Sequence, residues 1–277
     1  MADSITISGR PMQIDLSKPI DISIPLQFDG TQPNAYGVDP ASSQPCEAGD
    51  LVGDTRRGGS CNFERYTFIP HCNGTHTECV GHITDERISV RDCLRDVFVP
   101  AVLVSIDPIS AVKTNEGYSV AMASDDRVIT RELLTSALSN AGSQTPIVAG
   151  GTNAIIIRTL PNDDSKLTRQ YDSDSIPPYF TTEAMEYIVE CGFKHLLVDM
   201  PSIDRLFDEG NLSNHRIFWK VEQGSRATYA ATRIYSTITE LIYVPNGVED
   251  GNYLLNLQIA PFESDAAPSR PVLIKKN

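Results

Sequence analysis

The sequence predicts an α/β fold in one domain, because strand-like and helix-like segments alternate along most of its length. Two apolar runs, 99–106 and 195–198, are typical of buried strands. The chain has 277 residues, of which 40% are hydrophobic and 21% are charged, an ordinary globular composition. Since no repeat, low-complexity tract or linker divides it, residues 1–277 are predicted to form a single domain.

In the first third of the chain, alternation over 22–28 predicts a strand, and Pro25 places it at a sheet edge or a bulge. Gly, Pro, Asp, Ser and Asn then dominate residues 29–60. This composition predicts a long loop of the kind that covers binding sites. Alternation returns at 65–71, and short helical character follows at 85–97.

The rest of the chain predicts two clear helices, at 130–138 and 181–191. A threonine at each start can cap the helix by accepting a backbone hydrogen bond: Thr130 in the first helix, and Thr181 or Thr182 in the second. Residues 150 and 151 form a glycine pair without a following helix, which predicts a turn or bulge rather than a phosphate loop. The remaining strands are predicted at 147–149, 153–158, 235–244 and 253–260.

Charge and hydropathy exclude several classes of partner. The net charge of −13 gives an acidic surface, which repels phosphate backbones, so we expect no nucleic-acid partner. The longest apolar runs are far shorter than the ~20 residues that cross a bilayer. The polar N-terminus lacks the apolar core of a secretory signal. We therefore expect a cytoplasmic protein without membrane partners, whose six cysteines are thiols.

The most unusual segment holds three of the five histidines within twelve residues: His71, His76 and His82. On an extended strand alternate residues share a face, so four side chains would project together, namely Cys72, His76, Glu78 and His82. Thiolate, imidazole and carboxylate are ligands of transition metals. This density favours a metal or catalytic site over a surface strand with incidental polar residues.

This segment resembles the metal-binding motif of the bacterial cyclase, or kynurenine formamidase-like, family of metal-dependent hydrolases. The family motif is His-x-Gly-Thr-His-x-Asp-x-Pro-x-His, and Gly74-Thr75-His76, Glu78 and His82 keep its order and spacing. Weaker similarities follow in the family's order, from about Asp21 to the end of the sequence. They are Asp21-Ile22-Ser23, the segment 198–204, Asn214-His215, Thr239-Glu240 and the segment 268–271.

The resemblance implies a swivelling β/β/α fold, with a mixed, β-barrel-like core flanked by helices. It also implies a homo-oligomer that binds one or two divalent ions, commonly zinc and sometimes manganese. By position it makes His82 the general acid/base and Glu78 a bridging ligand. The metal ligands that it implies are Cys72, His76, Glu78, His215 and Glu240.

Two positions depart from the family motif. The family's first histidine corresponds to Cys72, whereas His71 lies one position earlier. Either Cys72 binds as a thiolate, which would favour zinc, or a bulge turns His71 inward; the alternation of faces favours Cys72. Glu78 replaces the family's aspartate and is one methylene longer, and Val80 replaces its proline.

The resemblance implies hydrolysis of a carbon–nitrogen amide bond in a small aryl formamide or cyclic amide. A metal-activated water would attack, and His82 would transfer the proton. The loop at 29–60 would cover the pocket, and the substrate contacts that it offers are Tyr36, Arg56 and Arg57. Two alternatives remain. One is a metal-free hydrolase in which Cys72 is the nucleophile, and the other is a small-molecule binding protein that has lost catalysis.

Other polar residues have structural interpretations. His195 lies in an apolar strand after a helix and is predicted to be a hydrogen-bonded structural histidine. Asp199, Ser202 and Asp204 are predicted to form turn hydrogen bonds with the local backbone. Trp219 is predicted to belong to the core.

Overall fold

A nine-stranded mixed sheet runs through the molecule. The computed structural model describes residues 3–7, 10–142 and 152–276, so the strand predicted at 147–149 and the glycine pair lie outside the described residues. The α-helices are Pro70–Asn73 (α1), Val90–Cys93 (α2), Arg131–Asn140 (α3), Thr182–Glu190 (α4) and Ser213–Trp219 (α5). The strands are Asp3–Ile7 (β1), Arg10–Ile14 (β2), Ile20–Asp21 (β3), Asn34–Ala35 (β4), Ser42–Pro45 (β5), Glu47–Ala48 (β6), Leu51–Val52 (β7), Glu64–Thr67 (β8), His76–Glu78 (β9), Phe98–Ile106 (β10), Ile109–Ser110 (β11), Arg127–Ile129 (β12), Ala154–Thr159 (β13), Gln170–Tyr171 (β14), Tyr179–Phe180 (β15), His195–Val198 (β16), Thr237–Glu240 (β17), Gly251–Asn256 (β18), Ala266–Pro268 (β19) and Val272–Lys275 (β20).

The strand order of the large sheet is β19-β9-β17-β16-β13-β10-β18-β20-β3. Strands β10, β13, β16 and β17 run parallel to one another, and the flanking strands pair antiparallel. The sheet curls, as a bridge between Ser23 and Ile242 shows. Ser23 lies two residues after edge strand β3, and Ile242 lies two residues after β17. Tyr243 N donates to Ile22 O at 2.8 Å beside this bridge. The α/β class and the barrel-like core are therefore confirmed.

The central strands are buried on both faces, as is usual for parallel strands. On β10, Val102 and Val104 face the helices, whereas Ala101 and Leu103 face a second core on the other side of the sheet. The helical side of the core includes Leu134 and Leu138 of α3, Ala184, Met185 and Ile188 of α4, and Phe218 and Trp219 of α5.

Both predicted long helices form, and both begin where the sequence places their caps. Thr130 Oγ1 accepts from Leu133 N at 3.3 Å at the start of α3. Thr181 Oγ1 accepts from Ala184 N at 3.2 Å at the start of α4. Side-chain caps of this kind contribute about 0.5–2 kcal/mol each. Within the described part of the chain, no helix is long and apolar enough to span a membrane.

The strand predicted through residues 72–82 is wrong. Pro70 begins α1, as proline commonly does at the first helical position, and only β9 is extended. A 3₁₀ turn, Val80–His82, follows β9. The chain therefore changes direction before and after β9, so the parity of residue numbers does not decide which side chains face the site.

Two other predictions need correction. The strand expected over 22–28 does not form: β3 ends at Asp21, and the predicted range holds only the bridge at Ser23, consistent with the missing N–H of Pro25. The segment 29–60 is not free of regular structure. It contains short strands, of which β5 pairs with β8 and β6 pairs with β7.

Candidate metal centre

Strand register at one edge of the sheet brings two of the predicted ligands together. Strand β9 lies between β17 and β19, and His76 is directly opposite Glu240 of β17. Directly opposed residues have Cβ atoms about 4.5–5.5 Å apart, so their side chains meet. His76 Nε2 lies 3.4 Å from Glu240 Oε2. Glu78 shares the face of His76, because alternate residues of a strand point to the same side.

The carboxylate of Glu78 lies close to three imidazole rings. Its side chain is fully buried, and its Oε1 lies 3.0 Å from His215 Nε2. Its Oε2 lies 3.4 Å from His71 Nε2 and 3.8 Å from His82 Nδ1. Burial opposes ionisation of this carboxyl, but the charges of His82 and His215 outweigh burial and hold its pKa well below the usual value. The two oxygens therefore face different imidazoles, as a bridging ligand requires.

His215, which lies on α5, also faces the Glu78 carboxylate. Its Nδ1 donates to Asp204 Oδ2 at 2.5 Å, and its Nε2 also lies 3.8 Å from Glu240 Oε1. Burial opposes the charged imidazole. The carboxylates of Glu78 and Asp204 nevertheless raise the pKa of His215 well above its usual value.

The more accessible side of the centre is formed by His71, His82 and Asp265. The imidazoles of His71 and His82 stack with their ring centres 4.5 Å apart. Asp265 Oδ2 lies 3.2 Å from His71 Nε2 and 3.3 Å from His82 Nδ1. Burial opposes protonation of His71, but Asp265 and Glu78 raise its pKa to about 10. The same two histidines hold the pKa of Asp265 far below its usual range.

Four of the five histidines of the chain thus meet at one place. Their donor atoms and the nearby carboxylates form three overlapping groups, in each of which all ligand atoms lie within 4.8 Å of one another. The groups are His71, His82 and Asp265; Glu78, His82 and His215; and His76, Glu78 and Glu240. Of the five implied ligands, the fold therefore brings together His76, Glu78, His215 and Glu240.

Cys72, the fifth implied ligand, belongs to none of the groups formed by the described residues. Successive side chains on a helix are rotated by about 100°, so α1 directs His71 toward Glu78 and turns Cys72 away. Cys72 packs instead with Ile24, Ala35, Tyr171, Leu206 and Leu241. Burial, together with the carboxylate of Glu240, raises the pKa of its thiol to about 11. The arrangement therefore favours His71 over Cys72, and a helix rather than a bulge turns His71 inward.

The residues present fit a divalent cation. Three buried atoms of the centre form no well-directed hydrogen bond within the described residues, although oppositely charged groups lie 3.2–3.4 Å from them: His71 Nε2, His76 Nε2 and Glu78 Oε2. A buried polar group left without a partner costs about 1–3 kcal/mol. The other ring nitrogen of His76, Nδ1, bonds to Gly74 O at 3.0 Å, so Nε2 is the atom left to face the centre. Imidazole and carboxylate donors together suit ions such as zinc and manganese.

Two carboxylates beside the centre were not singled out as functional from the sequence. Asp265 immediately precedes β19, and no spacing motif marks it. Asp204 was expected to bond to the local backbone, but its carboxylate contacts Asn214 and His215, ten and eleven residues further on. Ser202 does form the expected turn bond, accepting from Asp204 N at 3.1 Å. The family-like segment 198–204 was the one available signal for Asp204.

Of the substrate contacts predicted in segment 29–60, one lies beside the centre. The Tyr36 ring meets that of Phe207 edge-on, with ring centres 6.2 Å apart. Burial raises the pKa of the Tyr36 hydroxyl, and the charge of Glu240 adds to this shift. Arg56 and Arg57 instead pair with neighbouring carboxylates of their own segment.

A curled mixed sheet with a buried histidine–carboxylate cluster at its edge defines an α/β protein suited to holding divalent cations. The chain belongs to the cyclase family, whose family model matches residues 14–205.

Individual relatives extend the similarity over nearly the whole chain. A kynurenine formamidase from Bacillus cytotoxicus is 22% identical over 262 residues, which are 94% of this chain and 96% of the relative. Isatin hydrolase A from Labrenzia aggregata superposes with a TM-score of 0.60 at 14% identity, covering 94% of each chain. A predicted metal-dependent hydrolase from Bacillus stearothermophilus gives a TM-score of 0.56 at 15% identity, covering 93% of this chain and 98% of its own. At these identities the structural neighbours establish the fold.

Proposed function

We propose that this protein is a metal-dependent hydrolase that cleaves the carbon–nitrogen amide bond of a small aryl formamide or cyclic amide. The observation that carries the proposal is the convergence of His71, His76 and Glu78, whose inward-facing atoms have no hydrogen-bond partner within the described chain. A bound cation would satisfy these atoms. The substrate class is supported by the relatives, one named for a formamide and one for isatin, which is a cyclic amide.

The most buried residues would hold the ion. His76, Glu78, His215 and Glu240 are at most 3% exposed, and His71 completes the set. A divalent ion bound by them would acidify water and polarise a carbonyl group. Because packing and hydrogen bonds already orient these side chains, little reorganisation is needed when charge develops in the reaction.

His82 is the proposed general acid/base. Its side chain is 26% exposed, whereas that of His76 is fully buried, so a substrate can approach His82 but not His76. The carboxylate of Asp265 faces Nδ1 of His82 and leaves Nε2 for proton transfer. His82 would accept a proton from the attacking water and donate it to the leaving nitrogen.

The aryl part of the substrate would lie beside Tyr36 and Phe207. Their side chains are partly exposed and meet edge-on, and the charge of Glu240 acts on the Tyr36 hydroxyl. A flat aromatic group can pack against such a pair with favourable ring geometry. With this placement, segment 29–60 would cover the site through Tyr36.

The ion and the oligomeric state in this proposal follow from the family resemblance, whereas the cytoplasmic location and the single domain follow from the sequence itself. The preferred ion would be zinc, with manganese as the alternative, and one or two ions would bind. The protein would act in the cytoplasm as a homo-oligomer of single-domain chains spanning residues 1–277. Elemental analysis and light scattering of the purified protein test the ion and the assembly, respectively.

The central experiment combines metal removal with an amide assay. We expect about one or two equivalents of metal in gently purified protein. Hydrolysis of an N-formyl arylamine or of isatin should be lost after chelation and restored by added zinc or manganese.

Two results would contradict the proposal. A metal-replete preparation that cleaves neither substrate class would favour a binding protein. Activity that survives chelation but is lost on alkylation of Cys72 would favour thiol catalysis.

A further inference from the structure

Outside the ion-binding residues, a chain of hydrogen bonds leads from the helices of the core to His215. We propose that Tyr118, acting through Asp204, is a positioning residue that sets the orientation of His215 at the metal centre. This inference rests on the proposed function in so far as His215 is taken to bind the ion.

The last link of the chain is the carboxylate of Asp204, which is 1% exposed. Its Oδ2 accepts from His215 Nδ1 at 2.5 Å, so Nδ1 carries a proton, and Nε2 is directed to Glu78 Oε1 at the centre, 3.0 Å away. Asp204 also accepts from the backbone N–H groups of Asn214 and His215, at 2.7 and 3.3 Å. The first turn of α5 has no side-chain cap from its own N-cap residue, Leu212. Asp204 therefore fixes both the helix start and the ring that the helix carries.

Tyr118 orients this carboxylate. Its hydroxyl lies 2.6 Å from Asp204 Oδ1 and 3.2 Å from Asp208 Oδ2. A hydroxyl has one proton, and the shorter distance assigns it to Asp204. The two oxygens of Asp204 therefore accept hydrogen bonds from different partners. Oδ1 accepts from Tyr118 and Asn214, and Oδ2 is left for His215.

The two residues before Tyr118 are held by the starts of two helices. The carboxylate of Glu116 accepts from Arg131 N, at the start of α3, at 2.9 Å and from Thr181 Oγ1, the cap of α4, at 2.5 Å. Gly117 N donates to the Glu183 carboxylate, and Gly117 O accepts from Thr182 N at 2.9 Å. A tyrosine that directly follows two anchored residues in this way can hold a buried carboxylate in one position.

A neighbouring tyrosine provides a matched control. Tyr179 donates to the buried carboxylate of Asp126 at 2.8 Å, and its ring lies 5.0 Å from that of Tyr118. Asp126 pairs with Arg205 and belongs to none of the ligand groups of the described residues. Tyr179→Phe therefore removes a similar hydrogen bond in the same region without touching the support of His215.

The test measures zinc affinity by competition with a chromophoric chelator, for the full chain and its variants. Removing groups that support metal ligands typically weakens metal affinity about 10–100-fold. Asp204→Asn should fall in this range, and Tyr118→Phe near about 10-fold, its lower end. Tyr179→Phe should bind zinc as the parent does. Thermal unfolding of both Tyr→Phe variants checks that each is folded.

Two results would overturn the inference: parental zinc affinity in Tyr118→Phe, or equal weakening in Tyr179→Phe. A second readout separates this failure from failure of the proposed function. If the parent binds neither zinc nor manganese, the proposed function falls, and the imidazole Nδ1–H resonance of His215 in the metal-free protein decides the inference. A shift of that resonance in Tyr118→Phe alone supports the positioning role, and an unchanged resonance refutes it.

Discussion

Two buried regions lie at opposite ends of the same parallel strands and differ in how far the ring nitrogens of their histidines are hydrogen-bonded. His195 is the first residue of β16, and both of its ring nitrogens have partners: Thr237 Oγ1 at 2.8 Å and Asp96 Oδ2 at 3.1 Å. Burial dominates there and lowers the pKa of His195. At the other end, where β17 finishes at Glu240, Nε2 of His76 has no hydrogen-bond partner within the described chain.

The contrast shows that burial alone does not mark a functional histidine. His195 and His76 are equally buried, so accessibility does not separate them. They differ in whether the protein satisfies their polar atoms, because a fully bonded imidazole contributes to stability and an unsatisfied one needs a ligand. The centre also lies at the carboxyl ends of parallel strands, where α/β proteins commonly bind ligands.

The largest expected effect is the difference in bound metal between variants of these two histidines. His76→Ala should lose bound metal and nearly all turnover, because it removes a ligand from the buried group. His195→Ala should keep its metal, yet lose about 1–3 kcal/mol in the free energy of unfolding, because Thr237 and Asp96 lose their partner. Elemental analysis and urea unfolding of the two variants measure both effects. Equal metal loss in both variants would refute the distinction.

A smaller effect is expected at the accessible side of the centre. His82→Ala should retain the metal and lose turnover by about 10²–10⁴-fold, the usual contribution of a general acid/base. Metal content and the rate of amide cleavage are measured on the same preparation. Because His82 also belongs to two of the ligand groups, loss of metal in this variant would make it a ligand instead.

The smallest effect concerns pH. Burial lowers the pKa of His195 in the folded protein, whereas an imidazole in the unfolded chain has a pKa of about 6.5. The unfolded chain therefore protonates His195 more readily than the folded protein does. The contribution of neutral His195 to the free energy of unfolding is therefore at its full value above about pH 6.5. It decreases as the pH falls below that value. His195→Gln should lose less stability between about pH 7 and pH 5.

This comparison is best made by urea unfolding of metal-free protein with and without His195, as a difference between the two pH profiles in which the contribution of the metal centre cancels. Identical pH profiles with and without His195 would contradict the expected linkage.

Local signals predicted much of the fold. Thr130 and Thr181 cap the helices that were expected to start there, and the apolar runs form β10 and β16. These features depend on neighbouring residues, so a single sequence contains them. The strand through Cys72 was wrong because Pro70 starts a helix whose rotation, rather than strand alternation, selects the inward side chain.

The sequence by itself determined the ligand chemistry of the site: the dense histidine segment and its similarity to a metal-binding motif. Only the tertiary structure decided which side chains meet. Pairing of β9 with β17 and β19 placed Glu240 opposite His76 and brought Asp265 beside His71 and His82. Packing of the loop after β16 against α5 brought Asp204 to His215. The physical reason is that these contacts span from 11 to 194 positions along the chain, and no local spacing rule reaches across strand register and helix packing.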